Sequence, residues 1–390
     1  MKIAMFADSF HPTVDGAVVA MEIAAAGLEA RGHKVVVLAP DSDNRVASPR
    51  PVHYLPARNL KTYPGYRIVI SPADMLEFLR KERVDVIHSH GIASMAILSL
   101  TAARALKIPH VLTFHTMANE AAIHYSPLPI RQDIMSRMVW IYLRNLLKRP
   151  EVVVAPSAPV KEELISNGVV MKSCEVVPTG VDCSRFSPEK YDRKFLDRFG
   201  LGGKRVLLHV GRLSKEKRLD IVLNAIAELA PKMPDLRLLV VGKGPAADEF
   251  KSMTQRLGIS NRVVFAGFIS DDELPAAYAS CEALVIASTF ETQGLVVLEA
   301  LASGTPVVGI RCRAIPEFVQ EGKNGCLFDQ ETCADAVQRC LARSDSMKMN
   351  AVSSVREFSI DSSAARLELV YELAAKILRE NLQGSRKGEP

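Results

Sequence analysis

Phe290-Glu291-Thr292-Gln293-Gly294-Leu295-Val296-Val297-Leu298-Glu299-Ala300-Leu301-Ala302-Ser303-Gly304-Thr305-Pro306-Val307-Val308 follows the apolar run Ala283 to Ala287 and ends inside a second one, Thr305 to Ile310. Strand, loop, helix and strand in that order make one βαβ unit. Every side chain from Leu295 to Ala302 is apolar except Glu299, which predicts a helix buried on all sides. An ionised carboxylate there is costly without a partner. A bound polar ligand would serve, and so would a neighbouring arginine. Glu291, eight residues earlier, falls in the loop before the helix. The free backbone N–H groups around Gln293, Gly294 and Leu295 point outward at the helix N-terminus beside it. This arrangement suits a sugar attached to a phosphate; the plainer alternative is a satisfied internal Glu299 and a solvated loop Glu291.

Outward from this unit the same rhythm fills the chain. Strand-like runs at Ile3 to Ala7, Val35 to Ala39, Val84 to His88, His110 to Phe114 and Val152 to Ala155 alternate with helical patterns such as Ala17 to Ala30, Ala73 to Lys81 and Ala93 to Leu106. After a turn-rich join at Pro178 to Pro188 the rhythm restarts, with runs at Arg205 to Val210, Arg237 to Val241, Arg262 to Phe265 and the two quoted above. Two parallel-sheet α/β domains follow, residues 1–180 and 181–363. A late helical pattern, 364–382, has no strand after it and is expected to fold back onto the first domain. Ligands of such sheets sit beyond the carboxyl ends of the strands.

At 390 residues the chain exceeds one ordinary core. A net charge of +5, with 24% charged residues, gives no reason to expect a nucleic-acid partner. Seven cysteines, an odd number with no C-x-x-C pair, argue against a disulfide framework and a zinc site. Met1 leads directly into a strand-like run, and no 18-residue apolar stretch is free of charge. The expectation is a cytoplasmic protein whose membrane contact, if any, is peripheral.

Further polar groups stand at strand ends. Arg212 and Lys217 follow the strand ending His209-Val210-Gly211, where two cations could clamp a pyrophosphate; the alternative is a solvated basic loop. Gly16, between the first strand and first helix, would let backbone approach a phosphate. Gly242-Lys243-Gly244 reads as a tight turn near a nucleoside, since the next strand ends without the acid of a dinucleotide site. His88, His90 and His115 could gather on one sheet edge. The carboxylates of a metal hydrolase are missing there, so His115 reads as a polar wall. Asp41-Ser42-Asp43 has the spacing of a metal-nucleotide motif and is read as a turn.

Taken together these residues resemble the family-4 retaining glycosyltransferases of GT-B fold, over nearly the whole chain. Asp15-Gly16-Ala17 resembles the family's glycine loop. Asp85 to Gly91 and Leu112 to Thr116 resemble its cleft-facing strands, and Pro178-Thr179-Gly180-Val181-Asp182 its interdomain segment. Arg212 with Lys217 matches its phosphate clamp, and Glu291 with Glu299 its E-x7-E pair. The resemblance implies two facing Rossmann-like domains, the first binding acceptor and the second nucleotide sugar, with an active-site cleft between them. It implies that Arg212, Lys217 and the backbone at Gly16 stabilise the leaving diphosphate without a metal or other cofactor. Glu291 and the amides of Gly294 and Leu295, beside Gln293, would hold the sugar, Glu299 the ribose diol, and His115 would line the sugar. Thr292-Gln293-Gly294 after Glu291 departs from the commoner Pro-Phe-Gly or Ser-Phe-Gly and resembles the diacylglycerol glucosyltransferases within the family. The activity implied is transfer of a hexose, glucose from UDP-glucose, to a lipid hydroxyl. The rivals are a GDP-mannose-dependent enzyme acting on an inositol lipid, a soluble acceptor, and a nucleotide-sugar-binding protein without catalysis.

Between Arg131 and Arg149 the basic residues Arg131, Arg137, Arg144, Lys148 and Arg149 face one acid, Asp133, and the only tryptophan, Trp140. Helical spacing predicts an apolar stripe of Met135, Met138, Val139, Tyr142 and Leu146 beside a basic one of Arg137, Arg144 and Lys148. A second basic stretch, His53 to Arg67, holds Arg58, Lys61, Arg67 and three tyrosines. Such surfaces suit an anionic membrane at its cytoplasmic face; the alternative is that the stripe packs on the first domain's own sheet.

Overall fold

The computed structural model describes residues 1–13, 15–59, 67–72, 74–115 and 131–387. The chain forms two compact units, one of Met1–Gly180 with Ile360–Pro390, the other of Val181–Ser359.

The first unit runs β1 (Lys2–Phe6), α1 (Gly16–Ala30), β2 (Lys34–Pro40), β3 (Val52–Leu55), β4 (Ala57–Asn59), β5 (Arg67–Val69), α2 (Met75–Glu82), β6 (Val86–Ser89), α3 (Ser94–Leu106), β7 (His110–Thr113), α4 (Gln132–Leu147), β8 (Val152–Ala155), α5 (Ala158–Ser166) and β9 (Cys174–Val176). Seven strands form one parallel sheet in the order β3-β2-β1-β6-β7-β8-β9, while β4 and β5 pair antiparallel beside it. The second unit runs α6 (Arg193–Asp197), β10 (Arg205–Val210), α7 (Leu219–Leu229), β11 (Leu236–Val241), α8 (Ala247–Arg256), β12 (Val263–Gly267), α9 (Leu274–Ser280), β13 (Ala283–Ile286), α10 (Leu295–Ala302), β14 (Val307–Ile310), α11 (Ile315–Phe318), β15 (Gly325–Phe328), α12 (Cys333–Ala342) and α13 (Ser344–Ser354). Its six parallel strands follow the order β12-β11-β10-β13-β14-β15.

Both sheets therefore start in the middle, grow to one side and then to the other. The reversal lies between β1 and β6 in one unit and between β10 and β13 in the other. That is the Rossmann arrangement, and loops leaving the carboxyl ends of the strands at the reversal diverge and leave a crevice. The central strands explain why the pattern reads as continuous apolar runs: β8 and β13 are buried at every position, as expected for strands covered by helices on both faces.

The last helix, α14 (Ile360–Lys387), belongs to the first unit. It starts four residues before the apolar pattern does and continues five beyond it; at its start Asp361 and Glu368 are held by Arg31, each at 2.8 Å. Gly27 of α1 admits the crossing: a Cβ there would stand 2.7 Å from the Ile360 side chain. Tyr371 carries α14 to the sheet, its hydroxyl 2.8 Å from His88 Nδ1.

Two expectations need correction. α10 is not buried on all sides: Leu295, Val296 and Glu299 are half-buried and share one side of the helix, while Val297, Leu298, Ala300, Leu301 and Ala302 face the core. Strands β3, β9 and β15, each at an edge of its sheet, are not among the runs expected from the sequence. Part of the stretch His53 to Arg67, including Lys61, lies outside the described residues, as does Thr116.

Candidate active site

In the second unit the loops leaving β10, β11 and β13 converge. Gly242 and Gly244 are required by this convergence, since a Cβ on Gly242 would stand 1.9 Å from the Gly211 carbonyl oxygen and one on Gly244 2.3 Å from that of Leu213. Paired amides then join the two loops: Leu213 N–H donates to Lys243 O at 3.0 Å and Ala246 N–H to Leu213 O at 2.9 Å. The tight turn is thus explained by packing of loop on loop.

This stitching fixes the strand-to-helix turn that carries the two cations. Arg212 is exposed, and Lys217 closes a short 3-10 turn, Lys215–Lys217. Lys217 Nζ lies 2.5 Å from Glu291 Oε1. Burial by itself would raise the Glu291 carboxyl, but the Lys217 ammonium, by charge and by hydrogen bond, together with the Ser288 hydroxyl, holds it below its ordinary value. Glu291 is therefore a fixed anion. Behind it His209 is buried, with Nδ1 3.2 Å from Val285 O. Burial lowers this imidazole to about 4, so it is neutral.

Gly294 starts α10 in the left-handed region, at φ 81°, and no side chain caps the helix. A Cβ at Gly294 would stand 3.2 Å from Ile315 and 3.7 Å from the Glu291 side chain. The first turn of α10 therefore lies against Glu291. Gln293 itself is buried. One helical turn on, Glu299 accepts a hydrogen bond from the Tyr278 hydroxyl at 2.7 Å. Burial raises the Glu299 carboxyl, while Tyr278 and the charge of Arg185 oppose the rise. Its satisfying partner is thus a tyrosine on α9, and among the described residues nothing else is bonded to its carboxylate.

The first unit presents different chemistry at its own reversal point. Asp15 caps α1, accepting from Ala17 N–H and Val18 N–H at 2.9 Å each, and Ser9 Oγ donates to it at 2.8 Å. A carboxylate thus occupies most of the positive end of α1, leaving the Gly16 amide. Gly16 is exposed and nothing lies within 4 Å of where its Cβ would be. The three imidazoles do assemble. His90 Nδ1 lies 3.0 Å from His115 Nε2, with the rings stacked at 5.2 Å, and the His88 ring lies 4.1 Å from that of His90. His88 is fixed by the Tyr371 and Thr113 hydroxyls at 2.8 and 2.7 Å. Burial lowers His115 to about 4, against a smaller opposing effect of Asp15. Among the described residues no three His, Cys, Asp or Glu side chains are grouped so as to hold a metal ion.

Residues 14–185 match the family model described as Glycosyltransferase Family 4, and residues 193–351 that of Glycosyl transferases group 1. A GDP-mannose-dependent alpha-mannosyltransferase of Mycolicibacterium smegmatis is 30% identical over 335 residues, 84% of this chain and 84% of the relative. The chain belongs to glycosyltransferase family 4. An alpha-monoglucosyldiacylglycerol synthase of Streptococcus pneumoniae is 29% identical over 382 residues, 95% of this chain and 85% of that protein. Among solved structures, Anabaena Alr3699/HepE in complex with UDP superposes with a TM-score of 0.75 at 22% identity, covering 95% of this chain and 100% of that one. The two Rossmann-like sheets are those of the GT-B fold, and the protein is an enzyme, a hexosyltransferase.

Helix α4 of this glycosyltransferase corrects the expected faces. Trp140 is 7% exposed and packs inward with Leu143, Leu146 and Leu147; it is not a surface anchor. The exposed stripe is instead Ile134, Met138 and Ile141, each about half exposed or more. Arg137, Arg144 and Lys148 flank it and are exposed. Arg144 Nε donates to Asn167 O at 2.8 Å and Lys148 Nζ to Asn145 Oδ1 at 2.9 Å. No helix among the described residues is long and apolar enough to cross a membrane. Asp41 is held by Arg45 at 2.8 and 2.9 Å, and Asp43 by Arg67.

Proposed function

We propose that this glycosyltransferase moves glucose from UDP-glucose to the hydroxyl of a diacylglycerol-type lipid at the cytoplasmic face of a membrane, with retention of the α-configuration. The observation that carries the reading is the Lys217–Glu291 pair at the uncapped start of α10, beyond the strand ends where the second sheet reverses. Lys217 uses one of its three N–H donors on Glu291 and keeps two for a phosphate. Arg212, in the same loop, adds a second cation. As the glycosidic bond breaks, negative charge gathers on the diphosphate, and these fixed cations stabilise it with no metal required. Glu291, held anionic, accepts from hydroxyls of the sugar while the amides of Gly294 and Leu295, beside Gln293, donate to others. The oxygen of Glu299 not engaged by Tyr278 takes the ribose diol. In the first unit His115, neutral at physiological pH, and the exposed amide of Gly16 are groups of the kind that suit a sugar and a phosphate. Retention then follows from departure and attack on one face, with the leaving diphosphate assisting the acceptor proton.

Support for glucose and a lipid acceptor comes from Thr292-Gln293-Gly294 and from similarity to the pneumococcal synthase along 95% of the chain. The exposed Ile134, Met138 and Ile141 beside Arg137 and Lys148 suit an anionic bilayer surface. A GDP-mannose donor is the rival reading, favoured by the mycobacterial relative. Calorimetric titration with UDP and GDP separates them. Tight UDP and weak GDP binding is expected; the reverse order would replace glucose by mannose as the transferred sugar.

A further inference from the structure

A cavity of about 730 Å³ opens in the second unit at the amino ends of its strands. Among its walls are Lys204 just before β10, Glu282 just before β13 and Gly304 before β14. The donor groups lie at the opposite, carboxyl ends, so this is a separate place on the same sheet. Its size is within the usual range for small-molecule sites, roughly 300–1,000 Å³.

Three observations describe what the cavity would hold. Apolar surface comes from Tyr191, Leu196, Met349 and Val352, of which Tyr191 is 60% and Met349 76% exposed. Cations stand around it: Arg193, whose side chain makes no ion pair or hydrogen bond among the described residues, with Lys204 and Lys348 in loose pairs at 3.5 and 4.0 Å. The one acid, Glu282, is already taken by Arg205 at 3.0 Å. Ser303 also lines the cavity; it is 2% exposed, and its buried hydroxyl oxygen has no partner among the described residues. The cations are not needed to neutralise the end of α10. Gly304 N–H and Thr305 N–H close back on the carbonyls of Leu301 and Ala300 at 3.0 and 2.8 Å, and Thr305 Oγ1 donates to Tyr278 O at 2.7 Å.

We propose that this cavity is a second ligand site, for a small amphipathic anion, and that its occupant is coupled to the nucleotide-sugar site. The apolar walls take the body of the ligand, Arg193, Lys204 and Lys348 its charge, and the Ser303 hydroxyl a polar atom at the inner end. The coupling half rests on the donor reading above. It runs through two helices that end at the cavity: α9, which carries Tyr278 and continues into Ala279 and Ser280, and α10, which carries Glu299 and ends at Ser303, whose N–H donates to Glu299 O at 3.0 Å. A ligand that shifts Ser303 shifts the turn bearing Glu299.

The test uses anilinonaphthalenesulfonate, an aromatic body with one sulfonate, titrated by fluorescence into the full chain with and without saturating UDP. A saturable single-site rise is expected, weakened about tenfold or more by Arg193→Glu/Lys204→Glu, both exposed positions, and blocked by Ala279→Trp. Thermal melts verify that each variant is folded; if Ala279→Trp is not, the charge-reversed double variant decides alone. UDP should change the probe's affinity, and the probe that of UDP, by one common factor. Absence of saturable binding overturns the proposal, as does equal binding by wild type and folded variants, or displacement of the probe by UDP with no effect of the variants. Probe affinity unchanged by UDP that does bind overturns the coupling. Probe binding as expected on a chain that binds no UDP leaves the cavity a ligand site and overturns the donor reading instead.

Discussion

Lys217 and Glu291, separated by 74 residues, meet at 2.5 Å because the turn after β10 and the loop after β13 leave neighbouring strands at the reversal of the second sheet. Each sets the other's chemistry: the ammonium keeps the carboxyl ionised despite burial, and the carboxylate orients the ammonium.

Removing either member should spare folding and remove activity. We expect Glu291→Ala to lose most turnover at saturating donor, because an acceptor held in place before reaction is gone. Arg212→Ala and Lys217→Ala should each slow transfer about a hundredfold or more. EDTA should leave wild-type rates unchanged. Steady-state kinetics on variants with unaltered melts check this; near-wild-type turnover by Glu291→Ala, or magnesium-dependent recovery after EDTA, would contradict it.

Tyr278→Phe isolates the second carboxylate. Burial already raises Glu299, and Tyr278 is what most opposes that rise. Without the hydroxyl the carboxyl should protonate at a higher pH, so UDP affinity should begin to fall at a higher pH as the solution is acidified. Near neutrality the loss should be about tenfold, because the carboxylate loses the hydroxyl that orients it. Calorimetric UDP binding from neutral to acidic pH reads both effects, and superimposable wild-type and variant profiles would remove Glu299 from nucleotide binding.

At the membrane we expect binding to anionic vesicles that weakens with salt. The triple variant Arg137→Ala/Arg144→Ala/Lys148→Ala should bind about a hundredfold more weakly, at about 1 kcal/mol for each cation. Ile134→Ser/Met138→Ser/Ile141→Ser should also detach the protein, whereas these substitutions leave donor hydrolysis unchanged. Cosedimentation measures this. Equal vesicle binding by wild type and the two triple variants would show that α4 is not the contact.

Stability should depend on pH through buried imidazoles. Burial lowers His88 and His110 to about 3 and His115 and His209 to about 4, whereas in the unfolded chain each titrates near about 6.5. Above the unfolded value neither state is protonated, and stability is at its plateau. As pH falls from there towards the folded values only the unfolded chain gains protons, and each group costs up to about 1.4 kcal/mol per pH unit. Denaturant unfolding should therefore be flat from neutral upward and fall steeply below about pH 6.5. A flat profile down to pH 5 would contradict the neutral buried state of these histidines.

Much of this was legible in the sequence where a pattern was long or carried its own chemistry. Central strands such as Val152 to Ala155 read as continuous apolar runs because both faces are covered. Glu299 was visible as a lone charge in an apolar helix. Its partner was not, since Tyr278 sits 21 residues away on another helix and carries no local signal. His209 had one, a polar residue inside a buried strand two positions before Gly211. The inward face of α4 was not legible because its apolar side chains fit more than one helical stripe; in the fold Trp140 is buried and Met138 exposed.

The most direct measurement incubates the full chain with UDP-glucose carrying carbon-13, unlabelled GDP-mannose, and anionic vesicles containing diacylglycerol, then reads the lipid fraction by mass spectrometry and NMR. One labelled hexose per diacylglycerol, in α-linkage, is expected. Mannose in the lipid, a β-linkage, or label recovered only in water-soluble products would contradict it.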